Sequence, residues 1–400
     1  MAYPLSRATP PHIMTLVIAT ATGALAMNIF LPSLPGMARY FDTDYSIIQL
    51  AVSLYLAATA LLQLLIGPLS DRFGRRPVLL ACFGVFLAGT LAAIYAPTIE
   101  VFLACRFLQA FSAAGMVLSR AIIRDTVGPD AAASKIGYVT MGMSLVPMVG
   151  PFLGGYLDEL YGWQSTFLLT LAFGVVAFAF VYLDLGETNR HLSSSFAAQM
   201  RNYPELFRSR RFWGYTATAA FTSGAFFAFL GGGPYVATEM LGLSPSQYGI
   251  YFGIISLGYM FGNFCSGRFS ARIGINRMML TGNVIAAVGM ASSILLFAAG
   301  YFHPLSLFGP AFFTGFGNGI TLPNANAGIV SVRPHLAGSA SGLGGALQIG
   351  GGAALSVIAG AWLSPATGPY PLLYVMCLSS VAAVIATSYV IHVARKEGEA

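Results

Sequence analysis

Gly67–Pro77 reads GPLSDRFGRRP, and Gly267–Arg277, two hundred residues later, reads GRFSARIGINR. At that offset Gly67, Ser70, Arg72 and Gly74 meet Gly267, Ser270, Arg272 and Gly274. Each copy lies between two long apolar runs, so the match falls at equivalent connections of two similar halves. Such a repeat predicts a chain built twice on one plan.

The flanking runs say what that plan is. A helix needs about 20 mostly apolar residues to cross a bilayer. Runs of that kind lie at 12–31, 46–66, 78–96, 101–123, 136–157 and 164–183, and again at 212–233, 247–268, 278–300, 304–328, 338–361 and 370–392. They predict an all-α polytopic membrane protein of twelve transmembrane helices in two pseudo-symmetric six-helix bundles. The divisions expected are 1–184, a polar linker over 185–211 that is in part an amphipathic surface helix, and 212–400. The first run, His12 to Leu31, is too long for a signal-peptide core and reads as a permanent span.

Composition excludes a water-soluble enzyme. Of 400 residues, 56% are hydrophobic and 8% charged, against roughly 25% charged in a globular domain. Seventeen of the twenty Lys and Arg residues fall in the connections on one side of the twelve spans. That bias places both termini and the linker in the cytoplasm. The net charge of +6 is therefore a topology signal, and nucleic acid is not an expected partner. Cys82, Cys105, Cys265 and Cys377 sit in apolar runs with no metal-ligand spacing. No cofactor, metal or membrane-embedded enzyme chemistry is expected, because no His, Asp or Cys cluster falls at mid-depth.

With those residues in view, the whole chain resembles the major facilitator superfamily, whose signature loop GPLSDRFGRRP matches. Leu25–Pro35 (LAMNIFLPSLP), Arg106–Asp125 (RFLQAFSAAGMVLSRAIIRD) and Gly150–Gly155 (GPFLGG) resemble more narrowly the Bcr/CflA branch of bacterial drug:proton antiporters. The resemblance implies a monomeric inner-membrane exporter of bicyclomycin, phenicols and similar compounds. It implies that Asp71 faces the start of span 11 near Gly338 and Ser339, and that Arg75 pairs with Asp125. Gly67, Asp71, Arg72, Gly74, Arg75 and Asp125 would then form a conformational latch. The second copy carries Ala271 where the first has Asp71, so the latch is one-sided. Plain positive-inside topology accounts equally for Arg76 and Arg277. Gly137, Pro147, Gly150, Pro151, Gly154 and Gly155 of span 5 resemble the antiporter motif, with Val146 standing where another glycine is usual. Proline removes a helical hydrogen bond and glycine leaves a groove, so this span is expected to bend and pack closely.

Arg106 lies well inside span 4, where a cation is a functional hypothesis by default. Glu100 is its expected outer partner. Arg120, 14 residues on, falls close to four turns later and on the same face; it also has the option of snorkelling to the interface. The branch typically carries an acid in span 1 where this chain has Asn28. None of the fourteen Asp and Glu residues falls mid-span, so proton coupling would have to use a peripheral acid such as Asp125 or Glu100. A cavity with cations and no acid disfavours lipophilic cations and suits neutral or anionic amphipathic solutes. Its expected contacts are Arg106, Asn28, Gln109, Arg120, Met116, Phe227, Asn324 and Asn326. Membrane lipid and a small-molecule solute are the expected partners, with the proton as counter-ion. The alternative is an exporter of an endogenous metabolite or siderophore without proton coupling.

Overall fold

The computed structural model describes residue 7 and residues 10–127, 129–189, 203–333 and 336–396. Side chains are left undescribed at 129–134, 137, 140–142, 144–145, 203 and 337–338. Twelve long helices run α1 Ile13–Tyr40, α2 Tyr45–Phe73, α3 Arg75–Ile94, α4 Ile99–Thr126, α5 Pro129–Tyr161, α6 Gln164–Asp184, α7 Arg210–Tyr235, α8 Pro245–Ile273, α9 Ile275–Ala298, α10 Pro304–Ser331, α11 Ala337–Ala361 and α12 Tyr370–Lys396. There is no strand among the described residues. α1 begins and α12 ends on the same side, here the terminal face; the opposite side is the distal face.

All twelve predicted spans are helices, and most run several residues beyond the apolar stretch that announced them. The largest difference is in α1, which continues past Leu31 through a 3-10 turn at Leu31–Ser33 to Tyr40. Pro32 and Pro35 sit in the first turns of these segments, where proline costs no hydrogen bond. Eight of the helices are long and apolar enough to cross a membrane by length and composition. The other four, α5, α7, α8 and α10, are as long but richer in polar, Gly and Pro residues. α5, at 33 residues, is about 50 Å long.

Local chemistry sets the ends. Gly74 and Gly274 close α2 and α8 with φ of +98° and +90°, the left-handed region that glycine enters without strain. The repeat is therefore a repeat of backbone geometry as well as of letters. Ser244 and Gln247 form a capping box at the start of α8. Asp184, at the end of α6, accepts the backbone N–H of His12 at 2.8 Å and the Thr15 hydroxyl at 2.5 Å, capping α1 from a neighbouring helix.

The apolar interior falls into three clusters. One holds residues of α1–α6 alone, such as Leu16, Phe83, Phe86, Leu118 and Ile122. A second, on the terminal side of α7, α9, α10, α11 and α12, holds Phe212, Tyr215, Met279 and Ile329, with Leu64 of α2 packed against it. The third joins the halves at the distal end, with Phe30, Leu31, Leu34 and Ile48 against Phe229, Leu230, Val236 and Phe252. The molecule is thus sealed on the distal face.

In the second half, four helices meet at Asn283 of α9. Its carbonyl accepts from Thr222 at 2.8 Å and Thr321 at 3.3 Å, and its amide donates to Thr387 at 3.0 Å. A buried amide with every group satisfied fixes helix rotation as well as contact. Replacing Asn283 by Leu strands the Thr222 hydroxyl, removes one of the partners of Thr321 and of Thr387, and is expected to cost about 1–2 kcal/mol. Thermal unfolding of the detergent-solubilised protein should move to lower temperature; an unchanged Tm contradicts this role.

Candidate functional site

Arg106 is completely buried. Its Nε donates to the Ala51 carbonyl at 3.0 Å and its Nη1 to the Ala26 carbonyl at 3.0 Å and to Gln109 Oε1 at 2.5 Å. The guanidinium carbon lies 4.2 Å from the Phe30 ring centre and 4.6 Å from that of Tyr55. Gln109 donates onward to Thr90 at 3.0 Å. One cation therefore ties α1, α2, α3 and α4 together through carbonyl oxygens and ring faces, as an unpaired charge in a low-dielectric interior requires. Glu100 is not its partner: it is exposed in the first turn of α4, and backbone carbonyls take the role that the sequence assigned to it.

Arg106, Gln109, Ala113, Met116, Arg120 and Arg124 follow one another at three- or four-residue steps and so share one face of α4. Along that face burial changes in one direction. Arg106, Gln109 and Ala113 are buried, Met116 is half-buried, and Arg120 and Arg124 are exposed. The face is closed at its distal end, where the apolar cluster joins the halves, and accessible at its terminal end, as one wall of a crevice open on that side would be. On α10 the terminal half likewise exposes Pro323, Asn326 and Ala327.

This geometry sorts the predicted contacts. Arg120 and Asn326 are exposed, and Met116 and Phe227 are half-buried. Asn28 is buried, donating to the Ala24 carbonyl at 2.7 Å while its Oδ1 has no partner among the described residues. Asn324 does not face the crevice. It is buried and donates to Ser266 of α8 at 3.0 Å and to the Ile320 carbonyl at 2.7 Å, which makes it a helix–helix contact.

Backbone meets backbone along α5, both within the first half and at the seal. A β-carbon on Gly154 would strike the Ile29 carbonyl of α1, and one on Gly155 the Pro245 carbonyl of α8. Gly249 of α8 faces the Pro151 carbonyl at the same crossing. Gly150 has only ordinary contact with Asn28 and Ile29, and the surroundings of Gly137 lie outside the described residues. Ser256 of α8 donates to the Pro147 carbonyl at 3.4 Å. Elsewhere between the halves, Tyr45 donates to the Gly231 carbonyl at 2.6 Å, Ser53 meets Ser356 at 3.3 Å, and Arg39 pairs with Glu239 at 2.6 Å. That ion pair is exposed, 70% and 39% by side chain, and such pairs contribute about 0–1 kcal/mol. Apolar burial, at about 1.5–3 kcal/mol for each large side chain, does most of the closing. Gly249, Gly231, Tyr45 and Ser356 carry no signal in the sequence, since each is an ordinary residue until its partner far along the chain is known.

On the terminal face Arg75 donates to Asp125 at 3.0 Å, to Asp71 at 2.5 Å and to Ser70 at 2.5 Å. Glu187, just past α6, accepts the backbone N–H groups of Arg75 at 2.9 Å and Arg76 at 3.2 Å. Its carboxylate lies against the Gly74 α-carbon, a second reason for glycine there. Asp71 thus engages its own half in this structure. Gly67, expected to allow close packing, has open space where a β-carbon would be. Arg72 lies over the Phe73 ring, 5.2 Å from its centre. The linker is held at both ends: Asn189 donates to the Asp71 carbonyl at 3.1 Å, and Leu206, in a short helix at Tyr203–Phe207, is fully buried in the second half. Its middle, 190–202, lies outside the described residues.

Comparison with known proteins agrees with this architecture. The family model described as Major Facilitator Superfamily matches residues 16–356 and 234–399. An uncharacterized MFS-type transporter, YdgK of Bacillus subtilis, is 32% identical over 84% of this chain and 85% of its own. A bicyclomycin resistance protein homolog of Haemophilus influenzae is 29% identical over 94% of both chains. Multidrug resistance protein D of Escherichia coli is 28% identical over 93% of this chain and 94% of its own. Among solved structures, the human organic anion transporter MFSD10 superposes with a TM-score of 0.70 at 18% identity, over 94% of this chain and 98% of that one. A bacterial homolog of the human lysosomal transporter Spinster, inward-facing and unoccupied, gives 0.72 at 15% identity over 96% of both chains.

If the seal depends on these glycines, a bulky side chain there should hold it open. In a background lacking the native cysteines, Gly155→Leu or Gly249→Leu is expected to expose a Ser53→Cys thiol to a membrane-impermeant maleimide. Protection equal to that of the parent would contradict the crossing's role.

Proposed function

The chain belongs to the major facilitator superfamily, and from that premise we propose that it exports small amphipathic, neutral or anionic compounds by alternating access. It is a multi-pass membrane transporter and not an enzyme. The observation that carries the reading is the α4 face, buried at Arg106 and open at Arg120 and Arg124 beneath a distal seal. That is the shape of one end-state of a two-sided cycle, loaded from the terminal side. The basic bias of the terminal connections supports reading that side as the cytoplasmic face of a bacterial inner membrane, and in the efflux reading solute is loaded there and released on the distal side. The names of the bicyclomycin and multidrug resistance relatives support efflux of antibiotics of that kind.

In this reading the distal seal opens while the terminal ends close. The latch of Gly67, Asp71, Arg72, Gly74, Arg75 and Asp125 is then the element that changes partners. Here Asp71 engages Arg75; in the other state it would turn to the start of α11. Arg106 holds α1, α2 and α4 as one moving body and contacts no solute in the present state. Pro151 and Gly155 form the bearing on which α5 meets α8, while Gly150 and Gly154 seat α5 against α1 of its own half. The molecule acts as a monomer, since both walls of the crevice come from one chain.

Proton antiport needs a group that gains and loses a proton during the cycle. Asn28 cannot, and no described acid lies in the crevice at mid-depth. Asp125, joined to Arg75 and within 3.3 Å of the Thr188 hydroxyl, is the acid in contact with a moving part, so it is the proposed coupling group. Asn28 at the usual acid position favours a second reading: an exporter of an endogenous metabolite or siderophore that runs without a proton.

Inside-out vesicles test these readings. Uptake of chloramphenicol or bicyclomycin should rise with an imposed pH gradient, acid inside the vesicle; uptake indifferent to the gradient removes proton antiport, and no uptake of either compound favours the metabolite. Arg106→Ala should abolish uptake while the protein remains inserted, and near-normal uptake would refute its assigned part.

A further inference from the structure

The terminal end of the α4 face carries a charge that no described residue answers. On the terminal side each described carboxylate is engaged: Asp71 and Asp125 by Arg75, Asp184 by His12 and Thr15, Glu187 by the α3 backbone, Glu205 by Arg333. Arg120 has no hydrogen-bond or ion-pair partner among the described residues. Its nearest charged neighbour along the face is Arg124, one turn on and of the same sign, so the local field is positive twice over. The exposed residues of the terminal half of α10, Pro323, Asn326 and Ala327, bring no charge.

Arg106 is out of a ligand's reach in this state because it is fully buried among three oxygens and two rings, although its Nη2 has no partner among the described residues. Arg120 stands one turn from Met116 on the same stripe. A guanidinium fork beside an apolar, half-buried methionine matches a molecule with an apolar body and a planar oxyanion at one end.

The geometry points to Arg120 as a specificity-determining residue that binds the carboxylate of an amphipathic organic anion while the crevice is open on the terminal side. This rests on the efflux reading for its purpose, but its binding can be measured without transport.

The test is equilibrium dialysis of the purified full-length protein against ibuprofen, an amphipathic carboxylate, and its neutral carboxamide. The wild type should bind the carboxylate more tightly than the amide. Arg120→Gln should weaken the carboxylate about tenfold while leaving the amide within about twofold, and Arg120→Lys should restore most of the preference. Absence of a wild-type preference, its survival in Arg120→Gln, or equal loss for both compounds overturns the inference. The two readings come apart in vesicles. A wild type that binds as described but moves neither compound refutes efflux and leaves the anion site standing; efflux of the amide with no carboxylate preference does the reverse.

Discussion

A guanidinium that cannot release its proton sits in the apolar interior of the first six helices, and their arrangement follows from satisfying it. The cost of an isolated ion there is several kcal/mol even after relaxation. Arg106 avoids it by taking carbonyls from α1 and α2, an amide from α4, and the faces of Phe30 and Tyr55. Gln109 extends the hold to Thr90 of α3. Helices bound this way move together. The second half reaches the same rigidity without a charge, through Asn283 and three threonines. Two stiff bodies meeting along α2–α11 and α5–α8 are what a rocking transporter needs.

Where the bodies meet, the contact is made of small residues. At the α5–α8 crossing Gly155 and Gly249 each lie on a carbonyl of the opposite helix. Close backbone approach of this sort gives dense packing without interlocked side chains, so the surfaces can part without side chains having to disengage. The distal apolar cluster supplies the closing force, and the Arg39–Glu239 pair adds orientation more than energy. On the terminal face the ions instead stay within their own half, Arg75 with Asp71 and Asp125. A seal on one face and self-contained ions on the other describe one state of a pair.

Twelve spans, the repeat and the two glycine turns were legible in the sequence because each is a local signal: apolar length, or a letter pattern tied to a backbone angle. The shared face of Arg106 and Arg120 was legible from helical spacing alone. What was not legible depends on partners far apart in the chain. Arg106 was expected to lean on Glu100, yet a cation can be answered by carbonyls, which a sequence does not display as acceptors. Asn324 looked like a cavity residue because a polar group in a span needs a partner; the partner was Ser266 of a neighbouring helix. Gly249 and Asn283 carried no pattern of their own. Asp71 was placed against α11 from a resemblance, whereas this structure holds it with Arg75, since one sequence encodes the contacts of more than one state.

The central claim is that the distal seal and the terminal opening belong to one state of a two-state cycle, and distances between the halves test it most directly. Spin labels at Asp44 and Gly242 report on the distal face, and labels at Phe73 and Ile273 on the terminal face. Double electron–electron resonance in lipid nanodiscs, with and without solute and at acid and neutral pH, should show a second population in which the distal pair is farther apart and the terminal pair closer. A single unchanging distance at both faces, or both pairs lengthening together, would contradict alternation of rigid halves.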